Sequence, residues 1–371
     1  PDVLPGEARD KAREMKAKLD AGIDPIAERK VAQAALAAAQ ARHLTFADAF
    51  EQWAQEKVKE FSTDRYRKQW RRAVEQYALP EIGKIAVADI ALQDVLRVLE
   101  PIWSSKTETA SKLRQKIEGT LSWATVKGYR SGDNPAAWRG NLRHVLAAPS
   151  KVAPVENYPS LQLDDAARWW KSLRARDGMG AAALAFQAMT ATRSGAVRLA
   201  TWDEIDLDRG LWTIQPGRQS SKIPLNGEAK TVPLTPAMLA LLEGLPRLQD
   251  CNYIFWALRG GGLSDAAIAK AMRAVHDADI DAGGKGFADI RSGEAAVPHG
   301  LRATFRTWVS ERTTFDGDLA EIALFHKLGN KTTQAYNRAD MVEKRRRMMA
   351  AWGEFLAGTK LGTVIKLAGA R

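Results

Sequence analysis

The chain has 371 residues, 45% of them hydrophobic and 27% charged, which suits about two or three domains with ordinary cores and excludes a disordered polymer. Lys and Arg number 55 against 44 Asp and Glu, and the resulting charge of +11 and pI near 9.7 favour a polyanionic partner, nucleic acid first among them. A single cysteine, Cys251, and five scattered histidines exclude an intrachain disulfide and a Cys-rich zinc site, and point to a reducing, cytoplasmic compartment. No signal peptide is evident, and the longest apolar run, "MGAAALAFQAMTA" at 179–191, is too short and too interrupted to span a bilayer. Because the chain opens on Pro1 rather than Met, an N-terminal piece is expected to be missing.

Taken in chain order, "GEARDKAREMKAKLD" predicts a helix stopped by Gly22 and Pro25, and "ERKVAQAALAAAQARH" a second one. Residues 1–43 therefore read as the tail of a missing domain plus a helical connector. From Leu44 the pattern changes: Thr45 is a candidate N-cap, with Phe46, Ala49, Phe50, Trp53 and Ala54 at helical spacing behind it. "TDRYRKQWRRAVEQYALPEIG", ended by Pro80 and Gly83, "ALQDVLRVLEPIW" and "TETASKLRQKIEGTLSWATVKGY" complete an all-helical domain over 44–147. The proline-bearing stretch 148–160, "APSKVAPVENYPS", reads as a linker.

The remainder, 161–371, has mixed content. "DDAARWWKSLRAR", "GAAALAFQAM" and "RSGAVRLA" predict helices, and "GLWTIQ", "KTVPL" and "NYIFW" short strands, the first two joined as an irregular hairpin. Helices follow at "SDAAIAKAMRAVHDA", "HGLRATFRTWVSERT", "DLAEIALFH", "TTQAY" and "ADMVEKRRRMMAAWGEFLAG". The fold class is thus mainly α with a small β-sheet (α+β).

The helical domain carries two basic faces. One offers Lys57, Lys59, Arg65, Arg67, Lys68, Arg71 and Arg72, with Tyr66 and Trp70 among them. The other offers Lys106, Lys112, Arg114 and Lys116, beside Thr107, Thr109 and Ser111. Such faces suit DNA phosphates, which position a protein without reading sequence; a solvated charged surface is the alternative for each.

Four separated stretches belong together. "TATRSGAVRLATWDEIDL" places Arg193 at a helix–helix corner, and "SSKIPLNGEAKTVPL" places Lys222 near a hairpin tip. "PHGLRATF" sets His299 and Arg302 three apart, on one face of a helix introduced by Pro298. "HKLGNKTTQAYNR" holds His326 and Tyr336. Each alone has a dull reading: a capping arginine, a solvated lysine, a packed tyrosine.

In this order, with "WDEIDLD" and "LWTI" between, they resemble the tyrosine recombinases, specifically the integrase branch carried by phages and genomic islands. The resemblance covers nearly the whole chain and implies a remnant of an N-terminal arm-binding domain, a helical core-binding domain and a catalytic domain. It assigns Arg193, Lys222, His299, Arg302, His326 and Tyr336 as the catalytic set, Tyr336 being the nucleophile. It implies double-stranded DNA attachment sites as substrate, a homotetramer on DNA, possible DNA-bending or directionality factors, and a bacterial, nucleoid-associated protein. No metal and no cofactor are called for.

The chemistry agrees with that assignment. A phenol can attack phosphorus and leave again, conserving bond energy in a phosphotyrosine. Two guanidiniums suit the crowded phosphate, a mobile lysine suits the departing 5′ oxygen, and a histidine can move a proton nearby.

Three departures remain. Ala196 stands where an acid in an RxGE-like pattern is expected, and Asp203 or Glu204 is a candidate replacement. The hairpin is long, so Lys230 is a second candidate for the lysine and Arg218 a candidate phosphate contact. In "EKRRRMMAAWGEFLAG", the basic run suits DNA, while the apolar residues suit either an oligomerisation helix or packing on their own domain. The rival functions are a type IB topoisomerase and a DNA-binding accessory or architectural protein with a decayed site.

Overall fold

The computed structural model describes residues 5–22, 24, 26, 27, 30, 44–61, 64–153, 157–218, 223, 227–326 and 341–359. Lys222, Tyr336, the "TTQAY" helix and most of the connector expected over 28–43 lie outside them. The chain divides into two compact units, Pro1–Val155 and Glu156–Arg371.

In the first unit α1 (Pro5–Asp20) ends at Gly22, whose φ of 79° suits glycine. At α2 (Phe46–Lys57) the Thr45 hydroxyl accepts from the Asp48 amide at 3.2 Å, and Phe46, Ala49, Phe50 and Ala54 are buried behind that cap. The next helix, α3 (Asp64–Ala73), does not stop at Pro80. It passes through a π turn (Val74–Ala78) into a closing turn (Leu79–Ile82). Proline lacks an N–H and crowds the carbonyl four residues back, and the widened turn before Pro80 relieves both faults.

α4 (Leu92–Trp103) and α5 (Thr107–Val126) close the helical core, with Val95, Leu99, Leu113, Ile117 and Leu121 fully or almost fully buried. Gly119 lets α2 and α5 approach: a Cβ there would sit 2.5 Å from the Trp53 ring. Trp103 stacks on Trp138 at 5.9 Å and donates its indole N–H to Ala147 O at 2.9 Å. The short helix α6 (Pro149–Val152) falls inside the stretch read as linker, and Val152 packs against this core.

The second unit is built round large buried rings, among them Trp169, Phe186, Trp212, Phe255, Phe305, Trp308 and Trp352. Helices α7 (Ala166–Arg174), α8 (Met179–Thr190) and α9 (Ser194–Arg198) lead into an antiparallel sheet of β1 (Ile205–Asp206), β2 (Leu211–Ile214) and β3 (Lys230–Pro233), in that order. Leu211 faces Pro233 and Ile214 faces Lys230 across β2–β3. Trp212 and Ile214 alternate inward, as strand periodicity requires.

The strand expected at "NYIFW" is not one. Tyr253 makes a single bridge to Thr201, and the consecutive residues Ile254 and Phe255 are both fully buried, which breaks the alternation a half-buried strand needs. Strand β1 and α10 (Pro236–Glu243), capped by Thr235, were not anticipated.

After α11 (Asp265–Asp281) come α12 (Gly300–Arg312), α13 (Gly317–Ala323) and α14 (Val342–Ala357). Between its two candidate roles, α14 spends its apolar face on its own unit. Trp352 is fully buried against Phe305, Trp308 and Phe355 and donates its indole N–H to Ala188 O at 2.7 Å. The basic run divides likewise: Arg345, 1% exposed, donates to Thr231 O, and Arg346 donates to Gly210 O and Leu234 O. Lys344 and Arg347 remain exposed.

Candidate active site and DNA-contacting surface

Arg302 lies at the centre of the second unit's candidate site. It is 5% exposed, one turn into α12, and its guanidinium ties together three segments. Nη1 donates to Ala191 O (2.8 Å), at the left-handed end of α8. Nη2 donates to Leu324 O (2.6 Å), just past α13, and faces His326 Nε2 at 3.1 Å. Arginine has no acceptor, so Nε2 must present its lone pair, and Nδ1 therefore carries the imidazole proton. That N–H donates to Glu321 Oε2 at 2.6 Å. Glu321 also receives Arg306 Nε at 2.6 Å.

The electrostatics follow from burial and charge. Burial pulls the Arg302 guanidinium down from its ordinary value to about 9, with the charge of Arg193 adding and Glu321 opposing. It remains cationic at neutral pH. Burial alone pulls Arg193 down. Burial pushes Glu321 up, but hydrogen bonds from Arg306 and His326, with their charges, outweigh it and hold the carboxyl below its usual range.

Arg193 is the N-cap of α9, in extended conformation, half-buried, its carbonyl accepting from Ala196 N (2.9 Å) and Val197 N (3.3 Å). Among the described residues neither Arg193 nor Arg302 has a directly bonded carboxylate. Two desolvated guanidiniums, the charge of Arg193 bearing on Arg302, form a site that an anion would neutralise.

His299 precedes α12 as its cap residue rather than lying within it. It is exposed, its ring 4.4 Å from that of Tyr158, whereas Arg302 is buried. The start of α12 is fixed by Gln187, which donates to Pro298 O at 3.0 Å, and by Gly300, whose Cβ would lie 1.9 Å from Pro159 O. Of the six expected catalytic residues, Arg193, Arg302 and His326 thus come together. His299 stands a turn away, and Lys222 and Tyr336 are outside the described residues. Lys230, the second candidate lysine, is the first residue of β3, opposite Ile214.

Arg218 is not a free phosphate contact. Its Nε lies 2.7 Å from Glu204 Oε1 and its Nη2 donates to Ala196 O at 2.7 Å, with both side chains of the ion pair largely buried. Burial raises Glu204, opposed by the Trp212 indole hydrogen bond and the Arg218 charge; burial likewise lowers Arg218. The candidate replacement for the acid at 196 therefore engages Arg218. Sequence reasoning also missed Glu321 and Tyr158. The only available signal for Glu321 was its spacing of five before His326.

The basic faces of the first unit divide by partner. Arg114, 8% exposed, is turned inward onto Ala136 O (2.9 Å) and Glu118, so it cannot reach a phosphate as expected. Arg71 is half-buried, clamped by Glu51 and Glu75 and lying over Phe50, a strut between α2 and α3. Arg67 donates to Phe61 O at 2.9 Å. Nothing is described of the Arg65 side chain. Lys68 and Arg72 are exposed.

Lys57, Arg72, Lys112 and Lys116 line a groove of about 710 Å³ with Trp53, Phe61, Tyr66, Trp70 and Tyr77. Lys57 pairs with Glu60, Lys59 with Glu56 and Lys112 with Glu108. Lys106 donates to Tyr77 OH at 3.0 Å. Lys116 lies 5.4 Å from the Trp70 ring centre, its ammonium lowered by burial and the charge of Lys112. Among the described residues no His, Cys, Asp or Glu cluster could hold a metal, and no helix is long and apolar enough to cross a membrane.

A helical unit, then a mixed unit with a three-stranded antiparallel sheet and a capping arginine set against a helix-borne one, defines a tyrosine recombinase. Residues 46–141 match the model of the phage integrase central domain and residues 163–343 that of the phage integrase family. The chain belongs to the phage integrase family, whose members are site-specific recombinases.

It is 27% identical to prophage integrase IntA of Escherichia coli (strain K12), over 98% of this chain and 82% of that one. It is 26% identical to the integrase of Enterobacteria phage P4, over 96% and 78%. Its fold matches a lambda integrase tetramer bound to a Holliday junction, with a TM-score of 0.58 at 15% identity, covering 89% of this chain and 86% of that one. It also matches a Tn1549 transposon integrase in complex with transposon right end DNA, with a TM-score of 0.57 at 13% identity, covering 82% and 98%.

Proposed function

We propose that this recombinase cleaves and rejoins double-stranded DNA attachment sites through a 3′-phosphotyrosyl intermediate, integrating or excising a mobile element. The observation that carries the reading is the pair of half-buried Arg193 and buried Arg302: Arg302 is hydrogen-bonded to Ala191 O two residues before Arg193, feels its charge, and among the described residues neither has a directly bonded carboxylate. Their natural counter-charge is the scissile phosphate, and both guanidiniums hold its non-bridging oxygens as the charge grows in the transition state.

The Tyr336 oxygen attacks phosphorus, forming the phosphotyrosine bond as the bond to the 5′ oxygen breaks. Lys222 gives that oxygen its proton. His326, its Nδ1–H fixed on Glu321, presents Nε2 toward the phosphate region, where it accepts the tyrosine proton or, once protonated, donates to an oxygen. His299 adds a contact at the helix start. A partner strand's 5′ hydroxyl then attacks the phosphotyrosine and releases Tyr336, so no net bond energy is spent.

Residues 44–147 act as the core-binding domain and 161–371 as the catalytic domain, joined through 148–160. Residues 1–43 belong to an arm-type domain and the helical connector that follows it. Lys57, Lys59, Arg65, Arg67, Lys68, Arg72, Lys106, Lys112 and Lys116 supply phosphate contacts. The lambda integrase tetramer on a Holliday junction supports a homotetramer on DNA as the working form. DNA-bending or directionality factors, and a nucleoid-associated cytoplasmic location, belong to the same reading.

The test is a suicide substrate nicked near the scissile phosphate, its attachment site taken from the ends of the host element. Wild type should give a denaturation-resistant protein–DNA adduct that Tyr336→Phe does not. Tight binding to that site with no adduct from wild type would sink the reading and leave a DNA-binding protein.

A further inference from the structure

We infer that the buried ion pair Glu204–Arg218 is the positioning device for Arg193, acting through the backbone of Ala196. The inference rests on the assignment of Arg193 to the phosphate site.

The starting point is the length of α9. Five residues cannot hold their own C-terminal carbonyls, because the helix ends before the amides that would bond them. Ala200 N, which a longer helix would direct to Ala196 O, donates instead to Val197 O at 3.0 Å. Ala196 O is left to Arg218, whose Nη2 supplies the missing donor at 2.7 Å. The same residue reaches back to the catalytic one, since Ala196 N donates to Arg193 O at 2.9 Å. A continuous path therefore runs from Glu204 through Arg218 and the backbone of Ala196 to the backbone of Arg193.

Glu204 fixes the other end. It follows α9 in the short turn Trp202–Glu204 and also accepts from Trp212 Nε1 at 2.9 Å, so its carboxylate is held on β2. Arg218 leaves that same strand. Just beside it, Gly217 N donates to Ile223 O at 3.1 Å, within the connection between β2 and β3. In sequence, Lys222 lies between Arg218 and Ile223. Arg218 thus ties α9, which Arg193 caps, to the connection that leaves β2. Ala196 itself is 3% exposed, so its methyl leaves room for this arrangement rather than contributing a charge.

A single guanidinium lies against the carboxylate as an ion pair while its Nη2 donates to the carbonyl, a reach that the compact charge of an ammonium does not reproduce.

The experiment measures single-turnover adduct formation on the suicide substrate at saturating DNA, with site affinity measured separately, for Glu204→Gln alone and combined with Arg193→Ala. Expected is a loss of about 100-fold in adduct rate for Glu204→Gln, the scale of a misplacement of about 1 Å. Site affinity should stay within about twofold, because phosphate contacts elsewhere dominate it. In the Arg193→Ala background the same substitution should cost less than about twofold, since there is nothing left to position.

Arg218→Lys, which keeps the charge, provides a second and milder variant and should fall in the same way. Ala196→Glu added to Glu204→Gln should recover part of the rate, because the new carboxylate would sit beside Arg218. Equal losses in both backgrounds, or wild-type rates for both Glu204→Gln and Arg218→Lys, overturn the inference while leaving the function intact. No adduct from wild type overturns both.

Discussion

Replacing Arg302 by lysine separates the two tasks the guanidinium performs. In the free protein it donates to Ala191 O and Leu324 O and faces His326 Nε2, tying α8, α12 and the end of α13 together. An ammonium on a shorter, unforked stem satisfies one of these acceptors and leaves at least one buried carbonyl without a charged donor. A hydrogen bond to a charged group is worth roughly 1.5–3 kcal/mol, so a loss of about 2–4 kcal/mol in stability is expected. For a domain of roughly 200 residues that is a fall in melting temperature of about 5–15 °C. Catalysis loses a further ~3 kcal/mol, or 100- to 1,000-fold, with one oxyanion contact. The assays are thermal unfolding by circular dichroism and single-turnover adduct formation below the melting range. A variant that melts within about 2 °C of wild type would show that the two carbonyls do not depend on this side chain. One that cleaves at the wild-type rate would refute the claim that the fork holds the phosphate.

Asp289, 2% exposed, accepts from Ser160 N and Oγ (2.7 Å each) and from Arg291 N (2.8 Å). Burial raises its carboxyl, but these hydrogen bonds outweigh it and hold the folded value well below that of the unfolded chain. The stabilisation is therefore complete above the unfolded value of about 4 and fades as pH falls below it. Asp289→Asn should cost about 1–3 kcal/mol at pH 7 and flatten the acid side of a urea-midpoint profile; an unchanged acid limb would count against it. Gly300→Ala drives a methyl into Pro159 O and should cost about 1–3 kcal/mol in urea unfolding, with a loss of adduct formation because His299 and Arg302 flank the displaced turn. Glu321→Ala removes the acceptor that fixes the His326 tautomer. Adduct rate should fall by about 100-fold with little change in site affinity, and an unchanged rate would remove His326 from the mechanism.

Much of this architecture could be read locally. Thr45 caps α2 because its hydroxyl meets an amide three residues on, and "GLWTIQ" forms a strand because Trp212 and Ile214 alternate inward. What escaped depends on partners far along the chain. Arg71 and Arg114 look like members of basic faces, yet Glu51, twenty positions earlier, and Ala136 O, twenty-two later, take them out of solvent. Pro80 signals a stop, but a π turn absorbs it. "NYIFW" has strand composition, but both Ile254 and Phe255 are drawn into the core, and one bridge is all its backbone makes to Thr201. Arg218 was legible as a cation in the right loop. Only the fold supplies the carboxylate and the carbonyl that occupy it.

The paired arginines themselves argue for where the phosphate sits. Arg168 is neutralised by Asp165 and Asp279, Arg71 by Glu51 and Glu75, and Arg218 by Glu204, and each holds two elements together. Resting on carbonyls alone is not enough to mark a functional cation, for Arg130 rests on Asp133 O at 3.1 Å and is lowered by burial with no other charge acting on it. Arg302 differs because a second cation, Arg193, adds to the cost of its own burial. Acids match the charges of Arg168, Arg71 and Arg218, whereas at Arg302 a second cation stands beside the first. Leaving two guanidiniums side by side is favourable only when a dianionic transition state arrives to satisfy both, and Glu321, whose charge reaches Arg302, is spent on orienting His326 instead.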